Sequence, residues 1–258
     1  MNCYALNRWP DIEGLLSTRG NQVPWRRAGR FVRRRLSREE YLGLYLTVGL
    51  LISLLMLGLF IGIARSVEGE KRLTRIDRGV NEYFAEHRES SPEVRRLFVV
   101  ITQFGSARVL TALAVLVAFF LLMIRRRLLA IVWLVAPAGG ALLDAGLKLA
   151  FERQRPPLRD PAINEITMSF PSGHAMGSLI GYGLLAYLLI LLLRRTWLKI
   201  LAVTLLGLLV VAIGFSRIYL GAHYLSDVLA GYAVGGCWLA SCISALEMIR
   251  RRPRPAES

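Results

Sequence analysis

Long uncharged apolar runs alternate along the chain with short arginine-rich interruptions. Residues 41–64 carry no charge over 24 positions, and about 20 apolar residues suffice for a helix to cross a bilayer core. A second run, 109–124, is shorter and reaches span length by extending back past Arg108 toward FGSA, with the arginine snorkelling to the interface. Residues 128–150 predict a third span, interrupted by Pro137, Gly139 and Gly140. The fourth covers roughly 174–193, the fifth 197–215 and the sixth 224–246. Between the first two lies a nearly charge-balanced segment, 65–107. Within it VNEYFAEHRES and PEVRRLFVVITQFG have the pattern of short amphipathic helices at the interface. The expectation is an all-α, polytopic membrane protein: a six-helix bundle over 41–247, a basic tail over 1–40 and a short basic tail over 248–258. Ser37 followed by Glu40 has capping-box spacing for the first helix start.

Composition agrees. The chain of 258 residues is 54% hydrophobic with a mean hydropathy of +0.45, high for a soluble domain of this size. Net charge is +15, and only Lys71, Lys148 and Lys199 among the 33 basic residues are lysine. Such basicity also fits a nucleic-acid arm. The arginines, however, cluster at the ends of apolar runs, as orientation charges do, so no nucleic-acid partner is expected. Six spans put both termini on one side. That side holds 19 basic and 6 acidic residues, the other 14 and 12. The positive-inside rule then makes the termini cytoplasmic, which for a bacterial chain means the inner membrane, with the basic tail near anionic lipid. Cys3, Cys237 and Cys242 have neither metal nor redox spacing, and no cleavable signal peptide is expected. His87, among glutamates and arginines, reads as a surface histidine.

Three polar clusters border spans three to six on the non-cytoplasmic side: KLAFERQRP at 148–156, SFPSGHAMGS at 169–178 and SRIYLGAHYLSD at 216–227. Charged groups at such places are costly and tend to mark function. Each cluster alone has a structural explanation: Lys148 paired with Asp144 one turn earlier, Arg155 and Arg217 as interfacial anchors, PSGH as a helix cap. Together they form a chemical set. Lys148, Arg155 and Arg217 supply positive charge. Ser172 adds a hydroxyl, and Gly173 lets backbone amides approach at a helix N-terminus that favours anions. Arginine forks match phosphate oxygens in pairs. His223 and Asp227, four apart, would share a helix face, so that Asp227 orients the ring and leaves its other nitrogen as nucleophile. His174 remains as general acid. Two histidines and an aspartate would also suit zinc, but three converging cations oppose a divalent ion, so no metal or cofactor is expected.

These residues resemble the signature of the type 2 phosphatidic acid phosphatase family, relatives of the vanadium-dependent haloperoxidases. Its parts are K-x6-RP, PSGH and SR-x5-H-x3-D. Here they stand as Lys148-x6-Arg155-Pro156, Pro171-Ser172-Gly173-His174 and Ser216-Arg217-x5-His223-x3-Asp227, in order and without departure. The resemblance implies phosphate binding by Lys148, Arg155, Ser172, Gly173 and Arg217, with His223 as nucleophile, Asp227 as its partner and His174 as general acid and later base for water. It implies a metal-independent lipid phosphatase whose substrate reaches the outer face from the bilayer. Undecaprenyl diphosphate, phosphatidic acid, phosphatidylglycerol phosphate and the 1-phosphate of lipid A all fit, with polyprenyl diphosphate or a broad range favoured. A phosphotransferase of the same fold and a non-enzymatic transport or lipid-binding protein are the alternatives.

Overall fold

The computed structural model describes residues 41–69, 72–157, 159–161, 163, 165 and 167–250. The Ser37–Glu40 capping pattern, the tail over 1–40 and residues 251–258 lie outside the described residues. The chain divides after Leu44, and the unit from Tyr45 contains the site described below.

Among the described residues eight helices follow one another: α1 Tyr41–Glu68, α2 Arg72–Ser90, α3 Pro92–Gln103, α4 Ala107–Met123, α5 Arg127–Phe151, α6 Gly173–Leu192, α7 Thr196–Tyr219 and α8 Leu225–Arg250. Five of them (α1, α5, α6, α7 and α8) are long and apolar enough to cross a membrane, and α3 with α4, bent by 43°, passes as a sixth span. Apolar side chains cover the outside. Leu50, Leu55, Leu116 and Leu142 are all exposed, as befits a protein whose solvent is hydrocarbon.

The expected spans are present with shifted ends. The second begins at Ala107, where Ser106 accepts a hydrogen bond from the Val109 amide at 3.4 Å. The third is not interrupted: α5 runs unbroken through Pro137. Gly139 and Gly140 serve packing there, because a Cβ would meet Trp238 at 2.4 Å and Ile180 at 2.5 Å respectively. The two amphipathic segments are α2 and α3. On α2, Asp77, Asn81, Phe84 and Arg88 recur at helical spacing and turn inward. His87 lies on the exposed side, stacked over Tyr83.

α6 is the central helix. In its most apolar window 44% of residues are buried, against 17% for α1 and α7. It packs on α4, α5, α7 and α8. Close approach to α8 depends on Gly231, where a Cβ would stand 2.6 Å from the Ser172 carbonyl oxygen and 3.2 Å from Ala175 Cβ. Backbone cannot retreat as a side-chain tip can, so Gly231→Ala should push α8 off the start of α6. Overpacking of this kind costs about 1–3 kcal/mol. A fall of roughly 2–10 °C in the melting temperature of the detergent-solubilised protein is expected. Gly62→Ala, which meets nothing within 4 Å, should leave it unchanged.

Candidate active site

The three polar clusters converge between the ends of α5, α6 and α7 and the start of α8. α5 stops where Glu152 takes a left-handed conformation (φ 44°) and its amide closes on the Lys148 carbonyl. The chain turns sharply there, and Arg153 and Arg155 point into the protein. α7 carries Arg217 in its last turn. The following turn needs Gly221 (φ 64°) and is tied by one acceptor, the Arg217 carbonyl, which takes the amides of Ala222 at 3.0 Å and His223 at 3.2 Å. Arg217 and His223 are thus held as one unit.

His223 is buried and precedes α8 rather than lying on it. The shared helix face expected of His223 and Asp227 therefore does not exist. Nδ1 sits 2.8 Å from the Ser169 carbonyl oxygen and 3.6 Å from Asp227 Oδ2. A carbonyl can only accept, so Nδ1 carries the proton and Nε2 the lone pair. Nε2 faces the Arg155 Nη1 donor at 3.2 Å. Burial, then the charges of Arg217 and Arg155, push the His223 pKa well below 6.5, so the ring is neutral at physiological pH.

Asp227 stands behind this pair. Its Oδ2 accepts from Ser169 Oγ at 2.5 Å and from the Tyr224 amide at 2.9 Å, the second of these closing the N-terminus of α8 in the manner of half a capping box. Oδ1 accepts from Arg153 Nη1 at 2.5 Å. Arg153 also reaches Asp77 on α2 at 2.9 Å, and Asp77 takes the Ser226 amide at 3.0 Å and its hydroxyl at 2.5 Å. This network of Asp77, Arg153, Ser169 and Ser226 was absent from the sequence reading. Arg153 lies inside KLAFERQRP, but nothing in its spacing separates it from an ordinary interfacial charge.

The anion cradle contains an anion of its own. The Glu165 carboxylate pairs with Arg217 Nη2 and with Arg155 Nη2 at 2.9 Å. It lies 3.7 Å from His174 Nδ1 and 3.8 Å from His223 Nε2. Burial alone would raise its pKa, but the charges around it, Arg217 foremost and Arg155 among them, bring it down to about 2. Arg217, 1% exposed, donates Nη1 to Thr102 Oγ1 at 2.8 Å, while its buried Nε has no partner among the described residues. Ser172 caps α6, with its hydroxyl toward the Ala175 amide at 3.5 Å. A Cβ on Gly173 would stand 2.9 Å from Asp144 Oδ2 and 3.1 Å from Lys148 Nζ. Lys148 is paired with Asp144 at 2.8 Å. Arg155 and Arg217 thus meet at Glu165, and Lys148 and Gly173 line the same cleft as it. Glu165, in the loop between two motifs that also holds Asp160, gave no sequence signal. Among the described residues no three His, Cys, Asp or Glu side chains are grouped to hold a metal ion.

A cleft of about 640 Å³ leads away from this place between α4, α5 and α6. Lys148, Glu165 and His174 lie at its polar end, and Leu110, Leu134 and Ile180 among its apolar walls.

A family model described as the PAP2 superfamily matches residues 128–251. The chain is 32% identical over 149 residues to phosphatidylglycerophosphatase B of Bacillus subtilis (strain 168), covering 56% of this chain and 71% of that one. The fold is similar to the crystal structure of a transmembrane PAP2-type phosphatidylglycerolphosphate phosphatase from Bacillus subtilis. The TM-score is 0.72 and the identity 25%, over 78% of this chain and 99% of that chain.

If Glu165 holds the place of an incoming anion, removing its charge should free the cradle. Glu165→Gln should be stabilised against heat by inorganic phosphate at roughly three- to tenfold lower concentration than wild type. An unchanged or higher phosphate requirement would show that the carboxylate does not compete for the site.

Proposed function

Because the chain belongs to the PAP2 superfamily and is a membrane lipid phosphatase, we propose that it hydrolyses a lipid phosphomonoester or diphosphate through a phosphohistidine. The observation that carries this reading is the orientation of His223, with Nδ1 held by the Ser169 carbonyl and Nε2 facing Arg155.

Arg155, Arg217 and Lys148, with Ser172 and the amides at Gly173, bind the phosphoryl oxygens once Glu165 is displaced. His223 Nε2 attacks phosphorus, and the bond to the leaving oxygen breaks as His174 donates its proton to that oxygen. Water then attacks the phosphohistidine. His174 takes a proton from it, and inorganic phosphate leaves with the imidazole restored. The cations stabilise charge gathering on the equatorial oxygens, the role a metal plays in other phosphoryl transfers. Asp227 acts through Ser169 and through the start of α8, keeping the ring in one tautomer.

The cleft suggests how a lipid would arrive. Its polar end meets the cradle and its apolar walls lie among membrane spans, so the tail remains in hydrocarbon while the phosphate reaches His223. Phosphatidylglycerol phosphate, the substrate in the names of the relatives, belongs first in the panel. Phosphatidic acid, undecaprenyl diphosphate and the lipid A 1-phosphate follow. The charge distribution favours cytoplasmic termini and an active site on the opposite face of a bacterial inner membrane.

Purified protein in chelator should release phosphate from at least one of these lipids, and His223→Ala should lower the rate by at least about 10³-fold. Loss of wild-type activity in chelator would defeat the metal-independent mechanism, and phosphate passed to an added acceptor but not to water would make the protein a transferase. Sidedness is tested separately. In intact cells a membrane-impermeant thiol reagent should label a cysteine placed at the exposed Glu93 and spare one at Arg126. The reverse pattern would invert the orientation.

A further inference from the structure

One carboxylate oxygen of a residue that lines the cleft lacks a partner. Asp144 gives Oδ2 to Lys148 Nζ, but its Oδ1 is buried without any hydrogen bond among the described residues. A buried acceptor left in this state is expensive, more so when charged. If Asp144 served only to hold Lys148, one oxygen would suffice, and the other would gain by facing a donor.

Its position suggests the donor. The carboxylate lies against the backbone of Gly173: a Cβ there would be 2.9 Å from Oδ2 and 3.3 Å from Cγ. Gly173 immediately precedes His174, the group that protonates the leaving oxygen in the mechanism above. Asp144 and His174 line the same cleft. A leaving group departing past His174 therefore carries its first carbons beside Asp144, before its tail enters the apolar part of the cleft.

We propose that Asp144 is a specificity-determining residue whose free oxygen accepts a hydrogen bond from a hydroxyl on the leaving group, carried by the carbon next to the ester carbon. The inference rests on the phosphatase reading of the site and names the headgroup that site selects. A glycerol phosphate headgroup presents such a hydroxyl. In phosphatidic acid the same position is acylated and donates nothing. A polyprenyl diphosphate offers a second phosphate there, whose charge the carboxylate repels. A site built around a hydroxyl discriminates strongly against the analogue without it, because its own polar group is then left unpaired.

The test compares phosphatidylglycerol phosphate with its deoxy analogue, in which propane-1,3-diol replaces the headgroup glycerol and the acyl chains are the same. Wild-type protein should favour the hydroxylated lipid by about tenfold or more in kcat/KM. Asp144→Ala should bring the ratio within about twofold of unity, losing rate mainly on the hydroxylated lipid. Asp144→Asn, which keeps an acceptor oxygen, should retain part of the preference. Lys148→Met should slow both lipids without changing the ratio. Equal rates on the two lipids in wild type would overturn the proposal, and this arm needs no variant to fold. A parallel loss on both lipids in Asp144→Ala would also overturn it, since Asp144 would then act only by holding Lys148. Both results leave the phosphatase intact. Failure of wild type to release phosphate from these lipids, phosphatidic acid or undecaprenyl diphosphate would instead overturn the phosphatase reading itself.

Discussion

A guanidinium buried beside a carboxylate from a loop governs the arrangement of this protein. Arg217 is 1% exposed, and a charge so placed costs several kcal/mol unless it is paired and hydrogen-bonded. A permanent partner on a helix would satisfy it and leave nothing for a ligand. Here the partner, Glu165, comes from a connecting loop and keeps 30% of its side chain exposed. Thr102 on α3 supplies the remaining contact. The segment between the first two spans is thereby part of the site wall rather than a tether.

Much of the architecture was legible because a membrane demands uninterrupted apolar length, and that demand is written in single residues. Pro137 misled, since a proline in a soluble helix usually marks a break, whereas a spanning helix has neighbours to hold it straight and cannot unwind into lipid. That the three polar clusters belong together was legible from their residue types and their common side of the membrane spans. The groups around them were not. Ser169 and Ser226 carry no periodic signal, and Asp77 lies about 150 residues before the site it supports. Glu165 is one of several acidic residues in an irregular loop. Its role exists only through proximity to residues far away in the chain.

The orientation of His223 shows how sequence spacing can give the right pair for the wrong reason. His223 and Asp227 belong together, but a turn joins them instead of a helical face. The imidazole is held by a backbone carbonyl and the carboxylate by Arg153, Ser169 and the Tyr224 amide. Because Arg153 also binds Asp77, helix α2 and the groups around His223 share one electrostatic network. Displacing α2 would disturb the ring through Asp227 without touching it.

On α6, Gly173, Gly177 and Gly181 follow one another at single-turn intervals along the cleft. A Cβ at the last two would meet Leu110 at 3.0 and 3.3 Å. The bore of the channel is therefore set by hydrogens where side chains would otherwise be. A lipid tail lying there, as proposed, would meet a wall that can change by one methyl at a time while the polar groups at the end of the cleft stay untouched. One polar end could in this way be fitted, over evolution, to lipids of quite different girth.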